Sequence, residues 1–231
     1  MPIHALLKCT FWGNWPSKCA ALSTLSFSYK GNGSRHDRSK YHGITLLSVP
    51  GKVFARVLLS GVCQRLCCHR QVQQSGFTPH RSTIDCIITL QLLLQIQCEC
   101  SLLRIPFVDL QAASYTVNWE ALWLLLLSLG LPRKLINLFK ALWTDTISCI
   151  CADGCDADWF LTGSGVRQGC VIAPDVFLTS MEWLLNHVDH LAFPGTTVGT
   201  EPFTGLDFAN DVVLVTEMLS VLALAFEIMN H

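Results

Sequence analysis

At 231 residues the chain can bury a sizeable core, as one domain or as two intimately packed subdomains. Hydrophobic residues make up 51% of it and charged residues only 14%, against roughly 25% charged in ordinary soluble domains, yet a membrane-spanning helix is excluded, because no run approaches the roughly 18 consecutive apolar residues such a helix needs. The formal net charge of −1 argues against the uniformly basic surface common in nucleic-acid-binding proteins, so a phosphate-rich ligand has to be met by local clusters of positive charge.

One such cluster fills the first third: Lys30, Arg35, Arg38 and Lys40, then Lys52, Arg56, Arg65, Arg70 and Arg81. A basic N-terminal part facing an acidic site suits a polyanion. The most apolar run, Ala121 to Leu131, is short and follows Glu120, and the start, Met1-Pro2-Ile3-His4, lacks the basic flank of an export signal. The expected location is therefore intracellular, cytoplasmic or nuclear, with no membrane partner. The twelve cysteines include Cys63, Cys67 and Cys68 near His69, and Cys149, Cys151 and Cys155. Neither group contains the C-x-x-C pair with a matching second half that structural zinc favours. Reduced, mostly buried thiols are the default without an export signal.

In chain order, residues 1–29 show no sustained period and are left unassigned. A polar, glycine-containing loop follows, Gly31 to Ser34 and His36 to Ser39. Ile44 to Ser48 reads as a strand stopped by Pro50-Gly51. From Lys52, apolar residues at Val53, Val57, Leu58, Val62 and Leu66 recur at helical spacing, which predicts an amphipathic helix to about Cys68 with Lys52, Arg56 and Arg65 solvated or facing a ligand. Gln74 to Arg81, with Gly76 and Pro79, is an extended segment and turn. Ser82 as N-cap and Asp85 in the first turn open a helix to about Cys100. Ile105 to Leu110 is a strand carrying Asp109. Asn118-Trp119-Glu120 starts a helix to about Leu129 that Gly130-Leu131-Pro132 ends, and a second helix covers 133–143. Thr146 to Ala152 and Trp159 to Thr162 are expected to pair across Asp153-Gly154 and the acidic loop Asp156 to Asp158. Pro174 to Val188 reads as a helix, Thr197-Val198 as a strand, and Glu217 to His231 as a closing helix.

The rest of the chain is organised around Gly205 to Glu217. Leu206 and Phe208 alternate with polar or small residues, Val212 to Val215 are apolar, and the polar pair Asn210-Asp211 between the two runs predicts a tight hairpin whose tip presents Asp211. An ordinary polar turn has the same pattern. What sets this one apart is its company. Phe107-Val108-Asp109-Leu110 puts a second carboxylate on an apolar strand, and the glycine-framed polar loop Gly165-Val166-Arg167-Gln168-Gly169 lies between the two in sequence. Acid, Gly-Gln-Gly loop, then acid on a hairpin is the order of parts in a palm-type polymerase.

On these residues the chain resembles the reverse transcriptases of non-LTR (LINE-type) retrotransposons over roughly residues 30–231. Tyr41 to Leu47, YHGITLL, is similar to that family's Y-R-G-I-S-L-L. Gln74 to Thr83, QSGFTPHRST, is similar to Q-x-G-F-R-P-G-R-S-T. Phe107 to Leu110 resembles the first catalytic strand, Gly165 to Phe177, GVRQGCVIAPDVF, resembles G-V-R-Q-G-C-x-x-S/A-P-x-L-F, and Phe208-Ala209-Asn210-Asp211 stands in the place of F/Y-A-D-D.

The resemblance implies an α+β right-hand polymerase of fingers and palm with the thumb missing: 1–29 unassigned, 30–104 fingers-like, and 105–231 palm-like, interleaved with fingers at about 118–162. It implies an RNA-directed DNA polymerase whose partners are an RNA template, a DNA primer and deoxynucleoside triphosphates. Nucleotidyl transfer of this kind uses two divalent ions, Mg2+ or Mn2+, held by carboxylates from separate strands. By this carry-over Asp109 and Asp211 are the catalytic metal ligands, with the Leu110 carbonyl an additional one. Gln168 and Gly169 line the sugar and base side of the nucleotide, and Lys52 and Arg81 reach its triphosphate. Outside that context, Gln168 reads equally as a helix-capping amide, and Lys52 and Arg81 as a solvated face.

The departures point to a decayed element copy. Asn210 replaces the first aspartate of the hairpin, which leaves one neutral oxygen where a charge belongs. Ser114 replaces the aromatic residue that crowds a ribose 2′-hydroxyl, Tyr115 an aspartate, Thr78 an arginine and His80 a glycine. Cysteines and histidines stand at positions where the family often carries arginine, as single-base transitions would leave them. The site is thus expected to be weakened. Two other classes stay open: a non-catalytic nucleic-acid-binding remnant that uses Lys30 to Arg81, and a cysteine-rich interaction or zinc protein.

Overall fold

The computed structural model describes residues 22–29, 31–37, 40–100, 104–144, 146–152, 155–156, 158–192, 196–198 and 201–216. In chain order its elements are β1 (Leu22–Tyr29), β2 (Tyr41–Leu47), α1 (Val49–Cys68), α2 (Thr83–Cys100), β3 (Phe107–Asp109), α3 (Ala113–Thr116), α4 (Trp119–Ser128), α5 (Arg133–Trp143), β4 (Ile147–Ala152), β5 (Cys155–Asp156), β6 (Phe160–Leu161), α6 (Ala173–Ala192), β7 (Thr196–Val198), β8 (Glu201–Phe203), β9 (Gly205–Phe208) and β10 (Asp211–Leu214). No helix among the described residues is long and apolar enough to cross a membrane. The chain divides into two compact units, each from two separate segments: Met1–Arg65 with Ser114–Val176, and Leu66–Ala113 with Phe177–His231.

The first unit is built on a sheet of order β2-β1-β4-β5, with β6 also on β4. β1 runs antiparallel to β2, from Ser23↔Leu47 to Tyr29↔Tyr41, and parallel to β4, from Leu22↔Ile147 to Ser26↔Cys151. The segment 1–29, left unassigned from sequence, thus supplies a strand at the centre of this sheet. From Leu25 the run Leu-Ser-Phe-Ser-Tyr does alternate with period two. The paired Tyr29 and Tyr41 rings meet at their end, tilted 56° to one another with centroids 5.5 Å apart. Pro50 and Gly51 lie in the first turn of α1 rather than in a loop; proline is tolerated there because its missing N–H would have had no helical partner.

Two helices of this unit bury a shared apolar stripe. Asn118 caps α4, its side-chain oxygen accepting from the Glu120 and Ala121 N–H groups. A Schellman motif ends it, with Leu131 N–H donating to Leu126 O and Gly130 N–H to Leu127 O. Leu122, Trp123 and Leu126 face inward from α4, and Ile136, Phe139, Leu142 and Trp143 from α5. Trp143 meets Trp123 edge-on with centroids 6.0 Å apart.

The second unit centres on β10, which lies between β3 and β9 and is antiparallel to both. Pairing continues beyond β10 itself: Leu214 N–H donates to Pro106 O, Val215 N–H to Thr204 O, and Thr216 exchanges backbone bonds with Arg104. Leu93 of α2, Leu206 and Val215 form a core against which Leu90, Ile105, Phe203 and Val213 pack. Asp85 closes the N-terminus of α2, its carboxylate accepting from Ser82 N–H at 2.8 Å and Ser82 Oγ at 3.3 Å. The turn lies one residue earlier than the polar pair implied: it is Ala209-Asn210, and Asp211 is already the first residue of β10. The closing helix expected at 217–231 lies outside the described residues.

Core position should dominate the mutational response of the first unit. Phe139→Ala, at 0% exposure, should cost about 3–5 kcal/mol, whereas Leu124→Ala on the same helical pair, 67% exposed, should change stability by no more than about 0.5 kcal/mol. Urea denaturation followed by tryptophan fluorescence reads both.

Candidate functional site

In the second unit β10 and β3 pair in the register Asp211↔Asp109, Val212↔Val108 and Val213↔Phe107. Residues directly opposite in an antiparallel pair have Cα atoms about 4.5–5.5 Å apart and side chains on the same face. Asp109 and Asp211 therefore present two exposed carboxylates side by side at one end of the sheet, while Val212 between the strands is buried. Like charges so opposed are unfavourable, a penalty that a shared cation would relieve. Asn210, half-buried in the turn, adds a neutral amide next to them.

Beyond β3 the chain turns through Ala112, whose φ is 53°, and Leu110 O accepts from Ala113 N–H at 3.4 Å. The Leu110 carbonyl thus already has one partner and keeps its second lone pair. Arg81 is exposed just before α2. It follows His80, which sits at φ 63°, the left-handed region that favours the glycine of the similar motif. Arg70 Nη1 donates to Phe77 O and Thr78 Oγ1, both at 3.2 Å, and so ties this turn down.

In the first unit the loop Gly165 to Gly169 is clamped from two sides. On one side Val166 N–H donates to Ser114 O at 2.7 Å, Gly165 N–H to Val117 O, and Trp119 Nε1 to Gly165 O at 2.8 Å. On the other, Thr45 N–H of β2 donates to Gln168 O at 2.7 Å. Gly169, at φ 105°, lies so close that a Cβ would come within 2.7 Å of Thr45 O, so both its conformation and its room demand glycine. The Gln168 side chain is exposed, and its oxygen accepts from the Tyr115 hydroxyl at 2.9 Å rather than from an amide of α6; the same hydroxyl reaches Gly43 O at 3.3 Å. Ser114 is half-buried with its carbonyl in the clamp, and Lys52 is exposed in the first turn of α1.

Arg167 anchors the loop from inside. Its Nη2 donates to Leu142 O and Thr146 Oγ1, and its guanidinium lies 5.9 Å from the Trp143 ring. Burial pushes its pKa down from the usual arginine range to about 10. Burial also pushes the Cys170 thiol up, opposed in part by backbone hydrogen bonds from Ile172 and Ala173 and by the charge of Arg167. Leu47, Gly51, Ala55, Leu142 and Trp143 line a small cavity with these two side chains.

A family model described as reverse transcriptase (RNA-dependent DNA polymerase) matches residues 30–231. The chain belongs to that family. Solved telomerases share the mixed helix-and-strand fold of this reverse transcriptase chain. Apo telomerase from Candida tropicalis, truncated from its C-terminal domain, superposes with a TM-score of 0.59 at 12% identity, over 96% of this chain and 52% of that one. Telomerase from Candida albicans in complex with a TWJ fragment of telomeric RNA gives 0.56 at 10%, over 94% of this chain and 40% of that one. The chain spans about half the length of these structures or less, and at such identities the likeness is one of fold.

Within this reverse transcriptase fold the structure brings Asp109, Asp211 and Asn210 together in one unit, and Gln168, Gly169 and the Ser114 segment together in the other. Three contributors were not legible as such in the sequence. Tyr115 bonds Gln168, Arg167 is a buried anchor, and Gln74, 1% exposed, accepts from the turn of the hairpin. The sequence carries no signal for the last, since Gln74 lies between Gln73 and Ser75 in a polar segment.

Two measurements test this local geometry. His80→Gly should raise stability by about 1 kcal/mol by relieving the left-handed residue, seen as a higher melting temperature. At neutral pH, Cys170 should react with a thiol reagent on the order of tenfold or more slowly than exposed Cys68, because burial holds it protonated and shields it; mass spectrometry of the labelled peptides checks this.

Proposed function

We propose that the chain derives from a non-LTR (LINE-type) retrotransposon reverse transcriptase, with fingers-like residues 30–104 and palm-like residues 105–231, and that its RNA-directed DNA polymerase activity is weak. The observation that carries the proposal is the cross-strand register of Asp109 and Asp211 beside Asn210. Two adjacent exposed carboxylates are hard oxygen donors, the chemistry that Mg2+ or Mn2+ prefers, so the residues present fit such an ion. When bound, it stabilises charge on the attacking and leaving oxygens of a phosphoryl transfer.

The chain's own residues then divide the work. Asp109 and Asp211 hold the ions, with the free lone pair of Leu110 O as a further donor. Gln168 and Gly169 face the sugar and base of a deoxynucleoside triphosphate; the Tyr115 hydroxyl occupies the Gln168 oxygen and so leaves its NH2 to donate. Lys52 and Arg81, both exposed, bind the triphosphate as charge-assisted donors. An RNA template and DNA primer complete the substrate. The asparagine weakens the site because an amide contributes no negative charge where two divalent ions must be offset, and the loss of one such electrostatic element commonly costs on the order of a hundredfold in rate. His80 at a glycine-like φ fits the same history of drift. Asn210 also favours a second possibility, a remnant that binds RNA through its basic residues without catalysis.

Primer extension on an RNA template, with Mg2+ or Mn2+, separates these. The natural chain should show little or no synthesis, and Asn210→Asp should recover metal binding more than turnover. Because Ser114 is small, any synthesis so restored should accept ribonucleotides nearly as readily as deoxyribonucleotides. Robust template-dependent synthesis by the natural chain, abolished by Asp109→Ala, would overturn the assignment of weak activity. Salt-dependent RNA binding that ignores both metal and Asp109→Ala would establish the remnant instead.

A further inference from the structure

We infer that Gln74, with Gly76, is a positioning residue for the acidic pair: its buried side chain holds the 209–210 turn in the one conformation that keeps Asp211 opposite Asp109. This rests on the proposal that the pair holds a divalent ion. The turn is a strained one. Ala209 lies at φ 59° and Asn210 does not, which is the φ pattern of a type II′ turn, whose first position ordinarily takes glycine. An L-residue there is strained, its Cβ crowding the backbone, and such strain persists only where the surroundings over-determine it.

Gln74 and its neighbours supply that determination. Gln74 Oε1 accepts from Ala209 N–H and from Gly76 N–H, each at 2.9 Å. The backbone alongside is fixed by Ser75 N–H to Asp207 O at 2.8 Å and Asp207 N–H to Gln73 O at 3.3 Å, so residues 73–75 ride on the outer edge of β9. Gly76 approaches so closely that a Cβ would sit 2.3 Å from Ala209 N. Gln74 Nε2, by contrast, is buried with no hydrogen-bond partner among the described residues. An orphaned buried donor is destabilising, and a purely space-filling role would be better served by methionine. What the amide contributes is its oxygen's hold on the turn, and the turn sets where β10, and hence Asp211, begins.

Two measurements test this on the full chain. Amide hydrogen exchange needs no ion: Ala209 N–H should be protected in the natural chain and lose on the order of tenfold or more of that protection in Gln74→Met, with Gln74→Glu, which keeps the acceptor, recovering it. Unchanged protection in Gln74→Met overturns the clamp. Mn2+ binding, followed by electron paramagnetic resonance in an Asn210→Asp background, should weaken about 10- to 100-fold in Gln74→Met and in Gly76→Ala, with circular dichroism unchanged and Gln74→Glu recovering affinity. Mn2+ affinity that is lost in Asp109→Ala but unaltered in both of these variants overturns the positioning role while leaving the acidic site intact. Mn2+ affinity indifferent to Asp109→Ala overturns the acidic site itself, and with it the positioning role.

Discussion

Two carboxylates facing each other on adjacent strands repel, and the second unit is arranged so that Asp109 and Asp211 cannot separate. β10 is bonded on both sides, to β3 and to β9, and its pairing runs on through Thr216. On the face of β10 away from Asp211, Val212 and Leu214 are buried at 1% and 3% exposure. Moving Asp211 by one residue would turn these two side chains to the other face of the sheet, so the hydrophobic term enforces what electrostatics opposes. The charges sit at the open end, where water moderates their repulsion. The same unit that is stabilised by its apolar side therefore carries, at one end of its sheet, two adjacent exposed carboxylates.

The first unit solves a different problem, holding Gln168 and Gly169 still at the surface on a loop whose Gly165, Val166 and Arg167 are buried. Gly165 to Gly169 makes few contacts through side chains. It is held by main-chain bonds to Ser114, Val117 and Thr45, while Arg167 reaches inward to Leu142, Thr146 and Trp143. Burying a guanidinium carries a desolvation penalty, as its lowered pKa records, and its bonds to a carbonyl and a hydroxyl offset part of that. The Gln168 side chain is left at the surface with one bond, to Tyr115. A rigid main chain carrying a free amide is what selective recognition of a polar ligand requires.

Much of this was legible from local pattern. The helices at 83–100, 119–128 and 133–143 follow from caps and 3.6-residue spacing, and the strands of the hairpin from alternation around a polar pair. What escaped was whatever depends on partners distant in sequence. β1 begins with Leu-Ser-Thr, which breaks the phase of the alternation that follows, and its place in the middle of a sheet is set by β2 and β4 rather than by its own residues. The turn was placed one residue late because Asp211 looks like a turn former but has a strand partner waiting in Asp109. The role of Gln74 could not be read at all, since it depends on an amide 135 positions away.

That interleaving also governs how the chain can be made. β1 finds β2 within a short hairpin, but its other edge must wait for β4, and β3 must wait for β10, each well over a hundred residues further along or close to it. At a synthesis rate of roughly 5–20 residues per second, these apolar edges stand open on the ribosome for something like ten seconds, far longer than a hairpin takes to form. Neither unit can finish before the second of its two segments emerges. A nascent chain with half-built sheets and few charges to keep copies apart is a natural client for chaperones, and its yield in a cell will be decided during translation more than by the stability of the finished fold.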